Sequence, residues 1–186
     1  MQSALFDGPL SGPAIHRHAA VSPLRSFDSL RGGLLWFGLL LVCLALGGLG
    51  LSNAAPFLGP LRLPGGLPAT SLFGPVWSVA NLLAALAAWG VWRHRHTVRG
   101  SSGLALCATL LLLGALWPSL FMEERGGLWA LGGIALLWVL AGFTARTFWR
   151  VRPAFALLLI PLWAWLSVAA MLNAAVWWAG SPGLSG

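Results

Sequence analysis

The sequence contains no tyrosine and no lysine, and its 186 residues include only four acidic ones. Asp, Glu, Lys and Arg together make up 8%, against roughly 25% in an ordinary soluble domain. A water-soluble fold of this size cannot cover its surface with so little charge. Disordered chains and coiled coils, which are rich in charge, are excluded on the same ground. Only two cysteines are present, Cys43 and Cys107, each inside an apolar run. They read as buried free thiols, not as a disulfide framework. No carboxylate, Lys or His lies within any long apolar run. A proton-coupled pump, a channel with a charged filter and an intramembrane protease therefore lack the groups they need. Nothing reads as a nucleophile elbow, a phosphate loop or a metal-ligand cluster.

What is present is apolar: 58% of residues are hydrophobic, with mean hydropathy +0.82. Five uncharged runs cover residues 34–58, 72–92, 104–122, 127–145 and 153–179. Each is near the ~20 residues that a helix needs to cross a bilayer. Runs this long do not alternate as barrel strands do, and an isolated backbone in lipid must satisfy its own hydrogen bonds. The expected fold is an all-α membrane protein, a bundle of five transmembrane helices over 34–58, 72–92, 104–122, 127–148 and 153–179. Residues 1–33, polar and broken by Pro9, Pro13 and Pro23, are expected to form a disordered basic arm, and 180–186 a short tail. Ser52-Asn53-Ala54 faintly resembles a signal-peptide cleavage site, but the run is long and has 33 residues before it, so a retained helix is expected.

The net charge of +7 comes from eleven arginines, with a pI near 11.8. They do not form a nucleic-acid patch but sit in the gaps between runs. Arg17, Arg25, Arg31, Arg93, Arg95, Arg99, Arg146, Arg150 and Arg152 fall on one face of a five-span bundle, and Arg62 and Arg125 on the other. The positive-inside rule then places the N-terminus in the cytoplasm and the C-terminus outside. All four histidines lie in two units on the arginine-rich face, His16-Arg17-His18 and His94-Arg95-His96. They are expected to touch anionic headgroups, with metal or haem-iron ligation as the rival reading. Glu123 and Glu124 read as solvated loop charge.

Twelve tryptophans invite two explanations. Those near the ends of runs fit an interfacial aromatic belt. Others form stripes with residues three or four apart, which share a helix face. Phe73, Trp77 and Asn81 line the second helix. Gly114, Trp117 and Phe121 line the third. Pro161, Trp165, Ala169 and Asn173 line the fifth. Helix direction puts these stripes at similar depth in the outer half, under a Gly- and Pro-rich loop at 59–71. Aromatic walls with a few polar groups suit a flat, mostly apolar ligand. The same stripes also fit a packed bundle seam. Asn81 and Asn173 are costly in lipid and need partners.

At these stripes the chain resembles the tryptophan-rich sensory protein family, TspO/MBR. Phe-Gly-Pro-Val-Trp-Ser at 73–78 is similar to the family's F-G-P-V-W-T. Leu-Gly-Ala-Leu-Trp-Pro-Ser-Leu-Phe at 113–121 is similar to L-N-x-x-W-x-P-L-F. Residues 160–173, from Ile160-Pro161-Leu162 to Leu172-Asn173, are similar to P-Y-L-x-W-x-x-F-A-x-x-L-N. The resemblance implies a five-helix bundle, often dimeric, with a pocket closed by the first loop that takes porphyrins and related tetrapyrroles. It implies no required cofactor. By it, Trp77, Trp165 and Ala169 match pocket positions, and Trp117, Phe121 and Asn173 match characteristic positions nearby. The chain departs from the family where Gly114 replaces an Asn, Leu162 a Tyr and Asn81 a Tyr, and where Leu67-Pro68-Ala69 stands in place of a Trp- and Pro-rich segment.

The leading expectation is a receptor or carrier in a bacterial inner membrane for a flat hydrophobic ligand of tetrapyrrole type. It would be bound by Phe73, Trp77, Asn81, Gly114, Trp117, Phe121, Trp165, Ala169 and Asn173. Its partners would be the bilayer and that ligand. Small residues such as Ala84, Ala85 and Ala88 permit close helix contact, within the chain or across a homodimer. The rivals are an assembly subunit of a larger, pigment-handling membrane complex, and an enzyme acting on a tetrapyrrole or isoprenoid lipid.

Overall fold

The structure, a computed structural model, describes residues 23–58, 69–123 and 128–180. Every regular element among them is helical: α1 (Pro23–Leu58), α2 (Ala69–Val91), a 3-10 turn at Trp92–His94, α3 (Val98–Glu123), α4 (Leu128–Val151), α5 (Pro153–Leu157) and α6 (Ile160–Gly180). Five of the described stretches are long and apolar enough to cross a membrane, from Asp28–Gly50 to Pro153–Ala175. The helices close into a ring in which α1 meets α2 and α3, α3 meets α4, α4 meets α5 and α6, and α6 returns to α2. Large side chains such as Leu34, Leu41, Leu49, Leu128 and Met171 point outward and are exposed, as a bundle solvated by acyl chains allows.

The fifth crossing is not one helix. Arg152 is extended (φ −161°, ψ 116°), because the residue before a proline is driven out of the helical region. Pro153 then opens α5 in the first turn, where its missing N–H costs nothing. A second break follows at Leu158 and Leu159, where Leu159 N–H donates to the Ala156 carbonyl at 3.0 Å, three residues back. Pro161 has no N–H to return to Leu157, so the regular ladder cannot pass through this point.

Helix α1 begins at Pro23, well before the apolar run. Residues 23–33, expected as part of a disordered arm, are helical, and residues 1–22 lie outside the described ones. Tertiary contacts explain the difference. Trp89 Nε1 donates to the Ser29 carbonyl at 2.8 Å. Arg95 pairs with Asp28 at 2.8 Å. The indole of Trp92 lies directly over Gly32. None of these partners is near α1 in sequence, so a reading of local pattern had no access to them.

Close approach between helices depends on missing side chains. A Cβ at Gly50 would stand 3.0 Å from the backbone N of Ser119 and 3.1 Å from Pro118, and one at Gly47 would stand 3.8 Å from the Ala115 carbonyl. These glycines let α1 press on α3. Ala84, Ala85 and Ala88 are fully buried inside the chain, so the close contact they permit is intramolecular. Cys107 also lies there, a buried free thiol 3.8 Å from the Ala84 carbonyl, and Cys43 is likewise free and buried.

Substituting Gly50→Val should therefore wedge α1 from α3 and cost about 1–3 kcal/mol of overpacking, lowering the thermal midpoint in detergent by several degrees. Gly48, where an added Cβ would meet nothing within 4 Å, supplies the control. Gly48→Val should leave the midpoint almost unchanged.

Candidate functional site

The sequence stripes of α2, α3 and α6 converge on Phe73. Its ring stacks near-parallel on Trp77, centroids 6.0 Å apart at 14°, and on Trp117, 6.2 Å apart at 16°. It meets Trp165 edge-on at 5.3 Å and 66°. These separations and angles fall in the favourable offset and T-shaped range. Phe73, Trp77 and Trp117 are buried, and Trp165 is half-buried. The cluster sits near the start of α2 and the end of α3, the half of the bundle remote from the arginines at 93–99 and 146–152.

Each ring is fixed by something specific. Trp117 Nε1 donates to the Ala130 carbonyl of α4 at 3.1 Å, and a Cβ at Gly133 would stand 3.5 Å from its Cδ1. Trp77 lies between two glycines: a Cβ at Gly114 would be 3.4 Å from its Cζ2, and one at Gly47 would be 3.7 Å from its Nε1. The room that Gly114 leaves is therefore taken by the Trp77 indole. Gly47, Ala130 and Gly133 belong to the cluster but escaped the sequence reading. A glycine or a backbone carbonyl carries no chemical signal of its own, and no stripe on α1 or α4 pointed to them.

The polar positions divide. Asn81 is buried and donates its Nδ2 to the Trp77 carbonyl of its own helix at 2.8 Å. This bond satisfies the amide locally, not across helices. Asn173, on α6, is 0% exposed, and neither its Nδ2 nor its Oδ1 has a hydrogen-bond partner among the described residues. Trp165 Nε1, two turns earlier on the same face, is also buried and unpartnered. The indole N–H groups of Trp36, Trp92 and Trp163 share that condition, so an unpartnered indole alone distinguishes nothing. A fully buried amide with both ends unpaired is different. An unmade bond of this kind costs about 1–3 kcal/mol per group and calls for an explanation. Ala169, between the two on α6, is buried and small, and Leu162 is buried below.

Not every expected residue joins the cluster. The Phe121 side chain and the loop at 59–68 lie outside the described residues, as do His16 and His18. Trp138 and Trp163 form a separate pair, centroids 4.9 Å apart, where Trp138 Nε1 donates to Ser167 Oγ at 2.9 Å. His94 and His96 lie at the arginine-rich end. Among the described residues no group of three His, Cys, Asp or Glu is placed to hold a metal.

The TspO/MBR family model matches residues 36–179. The chain belongs to the TspO/MBR family. Among its relatives is the Translocator protein of Sus scrofa, 32% identical over 119 residues, covering 63% of this chain and 70% of that one. The Tryptophan-rich protein TspO of Chlorobaculum tepidum is 31% identical over 140 residues, covering 71% of this chain and 87% of its own. Protein CrtK of Rhodobacter capsulatus is 30% identical over 122 residues, covering 63% and 74%. This TspO/MBR protein is an integral membrane protein by both measures. Gly114 makes space for Trp77, and Asn81 turns back on its own helix.

Removing the hub tests the geometry. Phe73→Ala should cost about 3–5 kcal/mol. It should also change the near-ultraviolet circular dichroism that Trp77, Trp117 and Trp165 contribute, while far-ultraviolet helicity is retained. A near-ultraviolet spectrum unchanged in Phe73→Ala would contradict the stacked arrangement.

Proposed function

We propose that this TspO/MBR protein is a membrane receptor or carrier for a flat, largely apolar ligand of porphyrin or related tetrapyrrole type. The ligand binds in the half of the bundle remote from the arginines at 93–99 and 146–152, with Trp77 and Trp165 offering aromatic faces. Phe73 and Trp117 complete the wall. Ala169 leaves room on α6, and Asn173 supplies the hydrogen bond that orients the ligand. Asn81 and Gly114 act through Trp77, which one bonds at its carbonyl and the other accommodates. Family membership supports the ligand class. The single observation that carries the reading is Asn173, a fully buried amide with no hydrogen-bond partner among the described residues, two turns along α6 from Trp165. Such a group is the polar handle that an otherwise apolar pocket uses. The ligand is cargo and no resident cofactor is needed. The arginine-rich end faces the cytoplasm, and the setting is a bacterial inner membrane.

A second reading has an observation of its own. Phe73 meets the rings of Trp77, Trp117 and Trp165, which suits a filled seam in a subunit of a larger assembly. The two readings differ at Asn173. If the amide serves a ligand, Asn173→Leu removes an orphaned polar group and stabilises the ligand-free protein. The same change weakens protoporphyrin binding by about ten-fold, the worth of one lost hydrogen bond in a dry site. Quenching of tryptophan fluorescence by protoporphyrin reports the affinity, and Trp165→Ala should weaken it several-fold. Saturable quenching of equal strength in wild type, Asn173→Leu and Trp165→Ala would defeat the pocket assignment in favour of the seam.

A further inference from the structure

At the other end of the bundle, a cleft of about 390 Å³ opens between α1, the end of α2 and α5. Leu86, Trp89, Phe155 and Leu158 form its apolar walls, and Arg93, His94 and Arg152 line it as well. The cationic groups come from two separate connections, one after α2 and one before α5, which only the folded ring brings together. The walls are held rather than loose. Phe155 lies directly against Gly90, where any side chain would collide with its ring. Trp89 is tied to α1 by its bond to the Ser29 carbonyl. Arg152 is set by the extended backbone that Pro153 imposes and stands 6.0 Å over the Phe155 ring.

The electrostatics are unbalanced. Asp28, the described carboxylate at this end, is held by Arg95 at 2.8 Å. Among the described residues Arg93 and Arg152 have no carboxylate partner, and both are exposed. His94 contributes a buried Nδ1 that has no hydrogen-bond partner among the described residues. A cleft with two free guanidinium groups and an imidazole, backed by leucine and aromatic walls, is complementary to an anion that continues into hydrocarbon. Guanidinium groups bind phosphate oxygens with directed, charge-assisted bonds. A free phosphate would leave Leu86, Phe155 and Leu158 without use. The volume takes a headgroup and the first carbons below it, not a whole lipid.

We propose that this cleft is a binding site for an anionic phospholipid. The phosphodiester lies between Arg93 and Arg152 within reach of His94, and the upper acyl carbons lie on Leu86, Phe155 and Leu158. The site is independent of the aromatic cluster and does not rest on what that cluster binds.

The test uses the full chain, delipidated in a neutral detergent and titrated with dioleoyl phosphatidylglycerol or dioleoyl phosphatidylcholine. Native mass spectrometry counts the bound lipid. Phosphatidylglycerol should bind about ten-fold more tightly, since each arginine near the phosphate contributes a several-fold preference. The double variant Arg93→Gln/Arg152→Gln should bring the preference down to about two-fold, and Arg99→Gln, outside the cleft, should keep it. Arg152→Gln alone, at an exposed position, covers the case in which the double variant does not fold, and should lower the preference about three-fold. Retention of the full preference in either Gln variant would overturn the proposal. So would inorganic phosphate or glycerophosphoglycerol competing as strongly as the intact lipid, because the acyl contacts would then contribute nothing.

Discussion

The bundle depends on the pairing of an aromatic ring on one helix with a glycine on the next. Lipid tails are as apolar as leucine, so membrane helices gain nothing by hiding leucine from lipid. Contact must be won by shape and dispersion. Here Trp77 fits between Gly47 and Gly114, Trp117 against Gly133, Phe148 against Gly103, Trp92 over Gly32 and Phe155 against Gly90. The same device recurs around the ring. It explains why so many tryptophans and glycines coexist in one short chain, with no reading of either alone being sufficient.

That device also accounts for the two ends of the molecule. Remote from the arginines at 93–99 and 146–152, three helices bring rings to Phe73 and produce an aromatic cluster, and α6 carries an amide unpaired among the described residues. At the arginine-rich end, rings laid over Gly32 and Gly90 fasten the start of α1 and the break before α6. This anchoring gathers charged connections that would otherwise splay. The prolines complement it. Pro153 and Pro161 interrupt the fifth crossing where a straight helix would carry Phe155 away from Gly90. Both ends thus rest on the same steric rule and differ in what polar groups it leaves over.

Much of the architecture was legible because its cause is local. The bilayer demands helices, and uncharged runs of membrane length announce them. The spacings of three and four put Phe73, Trp77, Trp117 and Trp165 on stripes of three helices, and in the structure Phe73 meets the other three rings. Less was legible where the cause is a distant partner. Residues 23–33 look like an arm because their helix is stabilised by Trp89, Trp92 and Arg95, some sixty residues on. Gly114 looks like room for a ligand, and only its neighbour shows the space to be occupied.

The sequence by itself determined the number of crossings, their helical form and the inward face of α2, α3 and α6. Those follow from hydropathy and from the fixed period of a helix, which act within one segment. The tertiary structure alone decided which polar groups would be satisfied. Asn81 and Asn173 are the same residue type on inward faces. One finds a carbonyl on its own helix and the other finds no partner among the described residues, because backbone carbonyls and neighbouring helices are placed by packing. The meeting of Arg93 with Arg152 is likewise a product of ring closure, since residues so far apart along the chain become neighbours only when α5 docks on α2.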